Sequence, residues 1–352
     1  MKKYLVDIYL AYNLGDDMFL DHLAASFPNH QFVPFYPGNG YNNFFDQYPN
    51  ITKFPYSFLD KILSKIAVKN KLSDFDSMAD EYDGLIFLGG GIFREESYWK
   101  SVFEYRNTIT DAFLAKSKEV CFIGCNFGPY QSKEFESAYR ALFKKCSSVC
   151  FRDQKSYHLF NELDNVSYAP DVLWDYKLPN VNQSAKTIGI SIVNPKHKFG
   201  LEKYYDDYVL CHQKLIQQYV QKGFNVKLFS FCEAEGDLEV CNEIAKVAPD
   251  KIEVFNYNGN INSYLVEFGK CSEIIAARFH AVIIAMKFQI PVLPVIYGDK
   301  TRNLLEDLSF ENRSIEFDAL NILEKGFQNV YVEPKIDKFI RSAHQHFVNI
   351  YW

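Results

Sequence analysis

Along nearly the whole chain, short apolar runs of strand length alternate with stretches of helical period, and the glycine-bearing and charged motifs fall just after the strands. That alternation narrows the fold more than any other feature, because parallel strands must be joined by crossover helices. In the first half the pattern predicts strands at Tyr4–Ala11, Gln31–Tyr36, Gly84–Leu88, Glu119–Cys125, Ser148–Arg152 and Val166–Tyr168. Helices are expected at Asp17–Ser26 with Asp16 as its cap, and at Ser57–Val68, Lys133–Lys145 and Gln154–Leu163. The second half repeats the scheme, with strands at Thr187–Ile192, Asn225–Phe231, Ile252–Phe255, Glu273–Ala276 and Val292–Ile296. Its helices are expected at Tyr204–Gln221, Leu238–Val247, Ile261–Gly269, Ala281–Phe288 and Thr301–Leu308, with a terminal amphipathic helix at Ile336–Tyr351.

A chain of 352 residues exceeds one ordinary core. The polar stretch Lys177–Lys186, which carries Pro179 and has no clear period, is the natural break. The expectation is an α/β protein of two doubly wound Rossmann-like domains, residues 1–178 and 179–352, facing a central cleft. Ligands in such sheets bind beyond the carboxyl ends of the strands, where the motifs of this chain lie.

Charge and cysteine usage exclude several functions. A net charge of −6 argues against nucleic acid, which needs a basic face. The eight cysteines form no CxxC pair and no His cluster accompanies them, so they read as reduced core thiols in a cytoplasmic protein, with neither metal nor cofactor. No apolar run reaches the roughly 18 residues that span a bilayer, and the opening MKKYLVDIYLAY, broken by Asp7, reads as a strand rather than a signal peptide. The 32 Phe and 24 Tyr are read as core-packing residues.

Chemistry concentrates in a few places. After the strand ending at Ala276 comes Arg278-Phe279-His280 and then an apolar helix stopped by Pro291. A guanidinium, an imidazole and a helix N-terminus at one sheet edge suit a small dianion, phosphorylated or carboxylated. Arg152 in Phe151-Arg152-Asp153 is a second guanidinium at a strand end, and two such forks would match a ligand with both groups. Asn13-Leu14-Gly15-Asp16 follows the first strand; Asp16 can accept a proton from a hydroxyl or serve as a helix cap, and Gly15 allows close backbone approach. Gly89-Gly90-Gly91 and the stretch Gly124–Pro129 with Asn126 can line the cleft or simply turn the chain. Asp171 can orient a sugar hydroxyl or a cationic side chain or serve as turn chemistry, and Lys300 adds a further charge or is solvated. The aromatic stretch Phe35–Phe58 stacks on sugar faces, meets a lipid-linked acceptor, or is a mobile loop that partly folds under the sheet.

In this order the motifs NLGD (13–16), LGGG (88–91), GCNFGP (124–129), FRDQKS (151–156), APD (169–171) and RFHAVIIAMKFQIPVLPVIYGDK (278–300) resemble the polysaccharide pyruvyl transferase family. The resemblance implies a GT-B-like fold and transfer of a pyruvyl group from phosphoenolpyruvate to two hydroxyls of a sugar, as a ketal, with release of phosphate. By motif match it implies Arg152, Arg278 and His280 as donor residues and Asp16 on the acceptor side, and Phe279 is expected to line the donor site, with the helix after it adding N–H groups. The acceptor it implies is a sugar or a polyprenyl-linked oligosaccharide, which leaves room for peripheral contact with the inner face of the cell membrane. The alternatives left standing are a nucleotide-sugar glycosyltransferase of the same fold and a non-catalytic glycan-assembly module.

Overall fold

Six parallel strands make up each of two sheets in the computed structural model, which describes residues 1–65, 69–310, 313–325 and 336–348. The first sheet holds β1 (Lys3–Ile8), β2 (Gln31–Pro34), β3 (Gly84–Leu88), β4 (Glu119–Cys125), β5 (Ser148–Phe151) and β6 (Val166–Tyr168), in the order β2-β1-β3-β4-β5-β6. The second holds β7 (Thr187–Ile192), β8 (Asn225–Ser230), β9 (Ile252–Asn256), β10 (Glu273–Ala276), β11 (Val292–Ile296) and β12 (Ile315–Glu316), in the order β12-β11-β10-β7-β8-β9. Both are doubly wound sheets of the Rossmann-like kind expected from the alternation. Their strand order reverses between β1 and β3 and between β7 and β10, and such switch points are where these sheets receive ligands.

The helices are α1 (Leu14–Ser26), α2 (Asn42–Phe45), α3 (Phe58–Lys65), α4 (Phe75–Glu81), α5 (Trp99–Ala115), α6 (Lys133–Lys145) and α7 (Gln154–Phe160), then α8 (Tyr205–Gln221), α9 (Asp237–Ala245), α10 (Ile261–Gly269), α11 (Phe279–Lys287), α12 (Asp299–Asp307) and α13 (Asp337–Ser342). Contacts gather the chain into two compact units. The first comprises Met1–Leu10, Phe19–Val172 and Phe339–Trp352; the second comprises Ala11–Met18 and Leu173–Lys338. The main crossing is at Val172, but the start of α1 groups with the second unit and the C-terminal segment with the first.

Each unit has its own core. Strands β3 and β7 are buried along their whole length, as a sheet covered on both faces requires. In the first unit Phe87 stacks on Phe122 at 4.3 Å, and Phe93 meets Tyr139 and Phe143 edge-on at 4.9 and 5.0 Å. All eight cysteines are buried thiols. The stretch after β2 does fold inward in part, with Tyr41, Phe44 and Phe45 buried.

Several elements differ from expectation for identifiable reasons. Helix α1 begins at Leu14, not Asp17, because Asn13 caps it: its carbonyl accepts from Asp17 N at 3.0 Å and its side chain from Gly15 N at 3.1 Å. Asp16 therefore lies in the first turn rather than at the cap. Helix α11 likewise begins at Phe279, with Arg278 at the cap position. Helices α4 and α5 had no counterpart in the sequence pattern. In α5 the inner face carries Arg106, which bonds the Ile92 carbonyl and the Tyr139 hydroxyl and lies 5.3 Å from the Phe93 ring, so a charge interrupts the apolar stripe. The expected helix Ser57–Val68 is described as Phe58–Lys65, residues 66–68 lying outside the described residues. The terminal helix breaks after Ser342 into a 3-10 segment, Ala343–Phe347, and residues 349–352 lie outside the described residues.

Candidate functional site

The switch point of the second sheet lies between β7 and β10, and both strands deliver a cation to its carboxyl edge. The loop after β7 carries Lys198, and β10 runs directly into Arg278 and α11. Strand β10 is registered on β7 with Ala276 opposite Ser191, and the Ser191 hydroxyl accepts from Arg278 N at 3.1 Å. That bond fixes the Arg278 backbone at the helix cap, whose carbonyl accepts from Ala281 N at 3.0 Å and from Val282 N at 3.4 Å to close the first turn of α11.

The Arg278 side chain is buried and tightly held. Its Nε donates to Asp237 Oδ2 at 2.8 Å, its Nη2 to Asp237 Oδ1, and its Nη1 to Glu235 Oε2 at 2.8 Å. Asp237, fully buried, also accepts from the backbone N–H groups of Phe231 and Cys232. Glu235 accepts from Lys198 Nζ at 2.5 Å and from Asn13 Nδ2 at 3.3 Å. Burial alone would raise the Glu235 carboxyl, but Arg278, Lys198 and Lys300 outweigh it and hold it well below the usual carboxylate range.

Tyr297 closes the cluster from the end of β11. Lys300 Nζ lies 5.4 Å and Lys198 Nζ 5.7 Å from its ring centre, and Lys300 is also 5.9 Å from the Phe279 ring. Burial would push the phenol up, yet Lys300, Arg278 and Lys198 together bring it below the ordinary tyrosine value. Lys300 acts on that hydroxyl through its charge, since the hydroxyl has no hydrogen bond of ordinary geometry among the described residues.

His280 sits in the first turn of α11, packed against Gly15. A Cβ built on Gly15 would lie 1.6 Å from His280 Nδ1, so only glycine lets the imidazole occupy this place. The start of α1 is stitched to the end of β8, with Leu14 N donating to the Phe231 carbonyl at 3.1 Å and Asn13 bridging Cys232. Asp16 follows Gly15 in the same turn, half-buried. Asp17 is fully buried and accepts from Tyr257 OH at 2.7 Å.

The remaining expected residues gather in the first unit. Arg152, after β5, donates from Nη1 to Asp171 Oδ2 at 2.9 Å and from Nη2 to Asn126 Oδ1 at 2.7 Å. Its guanidinium lies against Gly90, where a Cβ would come within 2.2 Å of Nη1. Gly89 has φ +140°, a conformation reserved for glycine, whereas Gly91 has open space around it. Asp171 is thus a counter-ion rather than turn chemistry alone, and Asp153 caps α7 by accepting from Ser156 N at 2.8 Å.

The second unit therefore unites Gly15, Asp16, Arg278, Phe279, His280 and Lys300, and the first unites Gly89, Gly90, Gly91, Asn126 and Arg152. Reading the sequence missed Lys198, Glu235, Asp237 and Tyr297. All four follow strands, and the logic that singled out Arg278 would have reached them if applied to β7, β8 and β11. Among the described residues no group of three or more His, Cys, Asp or Glu is placed to hold a metal ion.

Residues 13–299 match the family described as polysaccharide pyruvyl transferase. Over 282 residues, 72% of this chain, the sequence is 23% identical to the amylovoran biosynthesis protein AmsJ of Erwinia amylovora, and the match spans 66% of that protein, just under two thirds. The fold is similar to that of the UDP-GlcNAc 2-epimerase of Methanocaldococcus jannaschii, at a TM-score of 0.59 and 10% identity over 98% of both chains. It is also similar to HepE of Anabaena, solved with UDP and glucose, at a TM-score of 0.56 and 11% identity over 99% of this chain and 96% of that one. At such identities these structures speak to fold alone.

Proposed function

Because the chain belongs to the polysaccharide pyruvyl transferase family, and so is a transferase, we propose that it moves a pyruvyl group from phosphoenolpyruvate onto two hydroxyls of one sugar in a cell-surface polysaccharide or its lipid-linked precursor. The observation that carries this reading is the cluster at the β7–β10 switch point. There three cations (Lys198, Arg278 and Lys300) stand against two carboxylates (Glu235 and Asp237), beside a histidine in the first turn of a helix. The surplus of positive charge beside the N-terminal end of α11 suits a donor with one phosphate and one carboxylate.

In this reading Arg278 acts chiefly by ordering Asp237 and Glu235, and the donor's anionic groups go to Lys198, Lys300 and the start of α11. His280, as imidazolium, gives its proton to the methylene carbon of the donor, which becomes a methyl group and leaves a cation at C2. One sugar hydroxyl bonds to C2 and loses its proton to Asp16 or a neighbour. The C2–O bond to phosphate then breaks with its electron pair, and phosphate leaves carrying a proton. The second hydroxyl closes the ketal, and its proton returns the histidine to its starting state. Two protons leave the sugar, one reaches carbon and one reaches phosphate, so the steps balance without an oxidant or a metal. Proton transfer of this kind contributes about 10²- to 10⁴-fold in rate. The relative named for amylovoran biosynthesis supports an exopolysaccharide or capsule setting, and an intracellular donor would place the reaction on the cytoplasmic side.

Phosphate release from phosphoenolpyruvate with a panel of sugar acceptors is the test. Wild type should release phosphate only when the right acceptor is present, and His280→Ala should reduce this to background. Turnover near the wild-type rate in His280→Ala would remove the mechanism. Thermal protection by UDP-sugars rather than by phosphoenolpyruvate would favour a glycosyltransferase instead.

A further inference from the structure

Helix α3 presents an apolar face to solvent. Phe58, Leu59 and Ile62, which fall on one side of the helix, are 76%, 67% and 43% exposed. Its opposite side is anchored: Asp60 is buried and accepts from Ser57 N and Ser57 Oγ at 2.7 Å each, and from Lys71 N at 3.2 Å. The outward face is therefore what the anchored helix leaves over, since turning Phe58 inward would expose Asp60.

The charge around this face runs against that of the molecule. Residues 53–71 carry five lysines and one aspartate in a chain of net charge −6. Lys53 pairs with the exposed Asp46, and Lys69 with the half-buried Asp74 and the exposed Asp76; such pairs near the surface contribute little. Lys61 and Lys65 flank the apolar stripe on the helix itself, Lys61 with its ammonium 4.8 Å from the Tyr56 ring. Beside them a cleft of about 320 Å³ is lined by Asn39, Tyr56, Phe58 and Lys61. Among the described residues no helix is long and apolar enough to cross a membrane.

We propose that α3 is a docking surface for a bilayer containing anionic lipid, with Phe58, Leu59 and Ile62 entering the acyl boundary and Lys61 and Lys65 meeting headgroup phosphates. An apolar stripe flanked by lysines is the pattern of helices that lie in the plane of an interface, because lysine stems cover apolar surface while their heads reach the phosphates. A protein partner would match the apolar face alone; the lysine excess on a net-negative chain is what favours an anionic membrane. The proposal does not depend on the donor chemistry and would bring the catalytic units to a lipid-linked acceptor.

Flotation of the full chain with vesicles of phosphatidylglycerol and phosphatidylcholine tests it, compared with phosphatidylcholine alone and with high salt. Expected is association with the anionic vesicles, weakened on the order of tenfold or more in F58S/L59S/I62S and again in K61E/K65E. Far-UV circular dichroism and the unfolding midpoint should stay unchanged in both. High salt should weaken binding by screening the lysines. Failure of wild type to float with anionic vesicles, or equal binding by F58S/L59S/I62S, would overturn the proposal. So would a lipid-free dimer that this variant abolishes, which would make the face a contact between copies.

Discussion

At the scale of single residues, the closest constraint is the contact between Gly15 and His280. Alanine is favoured over glycine inside a helix by about 1 kcal/mol, so a mid-turn glycine in α1 needs a reason, and the imidazole 1.6 Å from where its Cβ would stand supplies one. Gly15→Ala should therefore leave the protein as stable as wild type or nearly so while moving the ring. A displacement on the order of 1 Å costs about 100-fold in turnover. Gly91→Ala, with open space around it, is the matched control and should retain turnover. Equal phosphate release by Gly15→Ala and wild type would show that His280 does not act from this position. Arg278 and His280 were legible because strand, motif and helix follow one another without interruption. Their partners were not, because Lys198, Glu235, Asp237 and Tyr297 come from three other strand ends, and only the sheet order brings those ends together.

At the scale of elements, the strands were the most legible part, since most are short apolar runs and β3, β5, β7 and β11 are buried along their whole length. Helices were less so wherever a polar group sits on the buried side, as Arg106 does in α5. The C-terminal 3-10 segment is a similar case: His346 is buried in it, and its Nε2 donates to the Pro170 carbonyl at 2.8 Å, next to the Asp171 that holds Arg152. Burial lowers this imidazole from 6.5 to about 4, despite the carbonyl and Asp171. Between those values the unfolded chain binds a proton that the folded one does not, so stability falls as pH falls. The contribution is complete above pH 6.5 and is lost as pH drops through about 4, a difference of about 3 kcal/mol. His346→Gln keeps a donor for Pro170 but cannot titrate. Urea midpoints measured from pH 7 to pH 4 should fall less steeply for this variant than for wild type. Parallel slopes would mean that the histidine is already protonated in the fold.

At the scale of the whole molecule, the functional question is which of the two units holds the donor. Sequence reasoning joined Arg152 and Arg278 as two forks on one ligand; in the structure Arg152 bonds Asp171 and Asn126, and Arg278 bonds Asp237 and Glu235. Breaking either buried pair by removing its carboxylate leaves an uncompensated charge and costs about 3–5 kcal/mol, so loss of activity in such variants would not separate binding from folding. Hydrogen exchange does separate them. If the donor binds at the β7–β10 switch point, phosphoenolpyruvate should slow exchange in residues 11–18, 193–198, 231–237 and 277–300, all within the second unit. At a donor concentration of about 100 times its dissociation constant, the stabilisation available is about 2.7 kcal/mol, enough to slow exchange roughly 100-fold where opening is cooperative. Residues 89–91, 126 and 152 should exchange as they do without donor. Slowing at those positions as well would return Arg152 and the glycine run to the donor site, and the donor would then have to draw on both units.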